Sequence, residues 1–78
     1  MLLSECAPGQ KGIILKIDSE KTLKQRMTSM GIVPGINFEL ISEAPFGDPI
    51  ALKIKNYKLS LRKFEASHIT VKLEEKQK

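Results

Sequence analysis

The 78-residue chain has one cysteine, one histidine, one tyrosine and no tryptophan. A lone cysteine, Cys6, cannot close an intrachain disulfide, which argues against a stapled secreted mini-protein and predicts a reducing, cytoplasmic setting. CxxC, HxxxH and HExxH spacings are missing, so the ligand clusters of structural or catalytic zinc are not encoded. With His68 as the only histidine, no motif assembles a nucleophile, a base and an orienting group. Neither GxGxxG nor GxxxxGK[ST] is present to cradle a phosphate. The expectation is a protein without catalytic activity. No apolar run approaches the length needed to span a bilayer, and Met1–Glu5 lacks the basic and apolar regions of a signal peptide, so no membrane insertion is expected.

What is present suits one small domain. Hydrophobic residues make up 41% of the chain, enough for one core, while the length leaves no room for a second domain or a deep substrate cavity. Thirteen Lys and Arg against nine Asp and Glu give a net charge of +4. Lys11–Ile17, rich in β-branched residues and bounded by glycine and Asp18, predicts a strand. Asp18 and Ser19 are N-cap residues for a helix over Glu20–Met30, whose apolar face is Leu23, Met27 and Met30; Gly31 ends it. The period then becomes two. Ile36, Phe38 and Leu40 form one strand, Ile50, Leu52 and Ile54 a second, and Tyr57, Leu59 and Leu61 a third with the same inward parity. Asn56 supplies the residue of positive φ in the turn between the last two. Lys63–Ser67 predicts a short turn or 3-10 segment, and Ile69, Val71 and Leu73 a final strand.

Five or six short strands with one short helix after the first cannot build two packed sheets. The economical answer is a mainly β fold, a small SH3-like barrel that closes its own edges. The domain is expected over residues 1–73, with 74–78 a solvated tail.

Four blocks then align with one family. Pro8-Gly9-Gln10-Lys11-Gly12 precedes the first strand, and Arg26–Gly35 matches an "RLxxMGIxPG" pattern. Ala44–Ile50 matches "APxGDPI"; Tyr57–Ala66 matches "YxLxLRxxEA", followed by Ile69-Thr70-Val71 as a closing "IxV". In this order and spacing, the chain resembles the ferrous iron transport protein A (FeoA) family from about Leu3 to Leu73. The resemblance implies a cytosolic SH3-like accessory protein without catalytic activity, acting with the FeoB-type ferrous iron transporter and its GTP-binding domain at the inner face of the membrane. Two positions depart from the pattern: Cys6 replaces a plain aliphatic residue and Asn56 a glycine.

Candidate partner-binding residues are Phe46, Asp48, Lys53, Lys55, Lys58, Arg62 and Arg26. Residues 53–63 carry five cations and no acid, a surface able to steer an acidic partner, or else ordinary solvated lysines. Phe46 lies between turn residues, where it either anchors a partner or caps one end of the barrel, with Asp48 bonding amides of its own turn. Arg26 and Lys24 lie on the outer part of the helix. Arg62 falls on a family position, with a structural ion pair as the other reading. No cofactor is assigned. Cys6 and His68 are the only soft ligands; with Glu65 in reach they make at best an adventitious site for a divalent iron or zinc ion. Two other functions compete with protein binding. A nucleic-acid-binding basic β-barrel needs exposed aromatics, and parity leaves it Phe46 and Phe64. A metal-responsive regulatory module needs stoichiometric metal. The sequence leaves self-association open.

Overall fold

The computed structural model describes residues 1–74. A 3-10 turn at Leu3–Glu5 precedes five strands: β1 (Lys11–Ile17), β2 (Asn37–Glu43), β3 (Ile50–Ile54), β4 (Tyr57–Leu61) and β5 (Ile69–Leu73). Helix α1 (Lys21–Ser29) joins β1 to β2, and α2 (Lys63–Ala66) joins β4 to β5. All pairings are antiparallel, and the strand order is β4-β3-β2-β1-β5. The chain is mainly β, as its alternating apolar pattern requires. Of the expected tail, residues 75–78 lie outside the described residues.

The sheet does not close on itself, contrary to the expected barrel. Strands β4 and β5 stand at its two edges, and residues 62–68, with α2, span the gap between them. Two bulges bend the sheet toward closure. Leu15 has no partner where the β1–β5 register shifts between Ile14 and Lys16, and Ile41 has none where the β2–β3 register shifts between Leu40 and Ser42. The outer edge of β5 is covered by the chain's own start. Val71 N–H donates to Met1 O (2.8 Å), and Leu2 bridges Thr70.

The concave face holds the core. Ile14, Ile17, Phe38, Leu40, Ile50, Leu52, Ile54, Leu61, Ile69 and Val71 come from the strands, with Leu3, Met27, Ile32 and Ala66 closing the ends. Leu23 and Met30 pack against it as partly buried residues, so the expected helix face is the buried one. Each fully buried aliphatic side chain contributes about 1.5–3 kcal/mol.

Several local expectations are corrected. Helix α1 starts at Lys21 with Glu20 at its N-cap, and no side chain caps it. Asp18 lies two residues before that cap, where its backbone continues the β1–β5 pairing: its N–H donates to His68 O (2.8 Å). Lys63–Ala66 is an α-turn, held by Ser67 N–H to Lys63 O (2.9 Å). In the β3–β4 hairpin the positive φ (53°) falls on Lys55, not Asn56. Positive φ at the first central residue alone is the type II′ form of a two-residue connection. Tyr57 is 43% exposed, not inward. It sits where edge strand β4 begins, and its hydroxyl reaches across to donate to Met30 O (2.9 Å).

That contact separates two glycines of similar φ, Gly31 (89°) and Gly35 (92°). A methyl group on Gly35 meets nothing within 4 Å, whereas one on Gly31 collides with the Tyr57 hydroxyl. Gly35→Ala therefore costs about 1–2 kcal/mol, the left-handed penalty. Gly31→Ala costs about 1 kcal/mol more, by displacing the Tyr57 hydrogen bond. Urea unfolding checks the order; equal losses contradict it.

Candidate partner-binding surface

The β2–β3 connection over residues 44–49 is a tight turn. Ala44 N–H donates to Pro49 O (2.9 Å) and Gly47 N–H to Ala44 O (2.7 Å). This turn projects Phe46 with 98% of its surface exposed. The ring does not cap the core, which leaves the outward-facing alternative.

Asp48 does not serve its own turn. Its Oδ1 accepts the backbone N–H of Lys63 (2.9 Å), and its Oδ2 lies 3.9 Å from Arg62 Nη1. Lys63 Nζ lies 3.8 Å from Glu43 Oε1, at the end of β2. The turn bearing Phe46 is thereby tied to the start of α2, where Phe64 is also exposed (62%). Phe46, Asp48 and Arg62 belong to one region of the surface. The structure places Lys53, Lys55 and Lys58 elsewhere, on the β3–β4 hairpin, all solvent-exposed.

Helix α2 is itself held by Glu65, which is 3% exposed. Its Oε1 accepts Arg62 N–H (2.9 Å), and its Oε2 lies 3.0 Å from Arg26 Nη1. Arg26 is thus committed to Glu65 and fastens α1 to α2. Sequence reasoning assigned Glu65 only to an adventitious metal group and missed this role. The signal was the spacing: a glutamate three residues after the N-cap reaches back to the N-cap amide. Glu5 repeats the device, accepting Leu2 N–H (2.8 Å).

On the outer face of the sheet lies an open groove of about 740 Å³ whose lining includes Lys11, Lys53, Lys55, Lys72, Glu39 and Glu74 together with Ile13 and Leu73. Small-molecule sites of this volume are mostly apolar with few polar groups. Four lysines and two glutamates make this lining more charged than that.

Cys6 and His68 serve different backbone carbonyls. Cys6 Sγ lies 3.8 Å from Leu2 O, and His68 Nδ1 lies 3.1 Å from Asp18 O. Among the described residues, no three His, Cys, Asp or Glu side chains gather as a ligand set. Burial pushes the Cys6 thiol above its ordinary value; the amino-terminal charge opposes this and Glu5 reinforces it. Among the described residues, no helix is long and apolar enough to cross a membrane.

Fold and surface together define a small SH3-like β-rich domain whose most exposed features are an aromatic loop and a lysine-rich hairpin. The FeoA domain model matches residues 1–73, and the chain belongs to the FeoA family. It is 33% identical to an Fe(2+) transport protein A/Fe(2+) transporter FeoB fusion protein of Porphyromonas gingivalis, over 94% of this chain and 9% of that much longer protein. It is 36% identical to a FeoA-like protein from Clostridium acetobutylicum solved by NMR, with a TM-score of 0.90 over all of this chain and 91% of the other. A Stenotrophomonas maltophilia FeoA, described as an SH3 domain protein and crystallised with zinc, has a TM-score of 0.80 over 92% of this chain and 89% of its own. At 21% identity it speaks for the fold alone. The family is linked to Fe(2+) transport.

Two measurements check the site's energetics. Glu65→Ala leaves Arg62 N–H without its acceptor and costs about 1–3 kcal/mol in chemical denaturation. Glu65→Gln keeps an acceptor and loses less. A neutral Glu65→Ala contradicts the clamp. For Cys6, the folded thiol titrates above the unfolded one. Its contribution is full below the ordinary thiol range and is lost as pH rises through the raised value. Unfolding free energy of the wild type therefore falls more steeply above about pH 9 than that of Cys6→Ala; parallel profiles contradict the assignment.

Proposed function

We propose that this chain is a non-enzymatic accessory of ferrous iron uptake that binds the cytosolic part of a FeoB-type membrane transporter and promotes or regulates transport. The observation that carries this reading is the Porphyromonas gingivalis fusion, in which an Fe(2+) transport protein A segment and the transporter share one polypeptide. Covalent linkage holds two modules at high effective concentration, an arrangement suited to modules that engage each other. The cytoplasm, at the membrane's inner face, is the compartment this reading requires.

The surface supports it. Phe46 is a nearly fully exposed ring on a turn braced by Asp48, and an aromatic side chain held this way gives up little entropy when a partner covers it. Arg62 next to it, and Lys53, Lys55 and Lys58 on the hairpin, supply the positive field that speeds encounter with an acidic surface.

Titration of the labelled chain with the transporter's cytosolic domain tests the proposal. Saturable binding is expected, weakened about tenfold or more by Phe46→Ala. Arg62→Glu weakens it further at low salt, while Lys16→Glu on β1 leaves it unchanged. No binding at high micromolar concentration, or equal binding by all variants, overturns it.

A further inference from the structure

The two edges of the sheet are treated differently. The outer edge of β5 is occupied by the first residues of the chain. Strand β4, at the opposite edge, pairs only with β3. The two-residue hairpin sets Tyr57 opposite Ile54, Leu59 opposite Leu52 and Leu61 opposite Ile50. In an antiparallel ladder these alternate residues exchange the hydrogen bonds, so the N–H and C=O groups of Lys58 and Ser60 point away from the sheet. No described residue bonds to them. β4 also has the largest exposed share of the five strands, three of its five residues. An edge of this kind is a template for another strand.

The side chains beside that edge say which strand it accepts. Register places Lys11, Glu39, Lys53 and Lys58 in one row across β1, β2, β3 and β4. Lys53 and Lys58 stand directly opposite each other, a like-charge pair that destabilises the hairpin locally. A carboxylate on an added strand, opposite Lys58, meets this charge on the same face. Two residues along, opposite Ser60, a second carboxylate lies within reach of Arg62 and Lys58. The residue between them falls beside half-buried Leu59, where an aliphatic side chain fits. A second copy of β4 does the reverse, bringing Lys58 and Arg62 of one copy against the same cations of the other.

We propose that the outer edge of β4 accepts an extended acidic segment of a partner protein as a sixth strand, read by the backbone of Lys58 and Ser60 and by the charge of Lys58. This goes beyond the transport reading and does not depend on it, because any protein offering such a segment satisfies the chemistry.

The test is an NMR titration of the full 15N-labelled chain with a synthetic peptide alternating glutamate and valine, so that a failed transporter titration leaves it unaffected. The Lys58 and Ser60 amides are expected to show the largest shifts and slower hydrogen exchange. Lys58→Glu should weaken binding about tenfold and favour a lysine–valine peptide instead. Ser60→Pro removes an N–H that bonds nothing in the monomer, so the variant should fold and lose binding. A peptide N-methylated at alternate amides should bind no better than background when the methyl groups face β4. Shifts centred on the groove or on Phe46, indifference to N-methylation, or concentration-dependent protection of Ser60 without peptide, which signals a second copy, each overturns the proposal.

Discussion

The carboxylate of Glu65 is the constraint on which the site's geometry rests. A sheet of five short strands in this order leaves β4 and β5 as separate edges. The chain between them must cross the open end of the core without exposing it. Helix α2 does so by burying Glu65 and Ala66. A buried carboxylate is costly unless satisfied, and Glu65 is satisfied twice, by Arg62 N–H and by the Arg26 guanidinium. Fixing α2 also fixes Lys63 N–H, on which Asp48 depends, and through Asp48 the turn that presents Phe46. The exposed ring is thus held by a chain of contacts that begins inside the protein.

Much of the fold was legible because the apolar residues alternate strictly where the strands are regular. Ile50, Leu52 and Ile54 face the core, as do Phe38 and Leu40. Legibility ended where a local rule was overridden from elsewhere in the chain. The bulges at Leu15 and Ile41 insert a residue and break period two, and nothing in the one-dimensional pattern marks them. Tyr57 has inward parity yet turns its hydroxyl to Met30, because an edge strand has no neighbour to cover its end. Asp18 reads as a cap, yet the helix begins three residues later and the Asp18 backbone continues the pairing with β5. The candidate surface divides in the same way. Phe46 was readable as an unaligned aromatic between turn residues. The partner of Asp48 lies fifteen positions away, and that of Arg26 on a different helix, distances over which spacing carries no information.

Energetically the domain separates its duties. Residues that hold it together are inward and mostly aliphatic, with the Glu65–Arg26 clamp beside them. Those available to another molecule, Phe46, Phe64 and the hairpin lysines, lie outside the core. The two sheet edges differ in the same way: β5 is covered by the chain's own start, and β4 pairs only with β3.

The central proposal is that these outward features, the Phe46 turn and the β3–β4 hairpin, both meet a FeoB-type transporter. The most direct measurement is an amide chemical-shift footprint of the 15N-labelled chain with the transporter's cytosolic domain. The account predicts perturbations over residues 46–48 and 53–63, with the outer face of α1 and the N-terminally covered edge of β5 unchanged. A footprint centred on α1 or on β5, leaving Phe46 and the β3–β4 hairpin unperturbed, contradicts it.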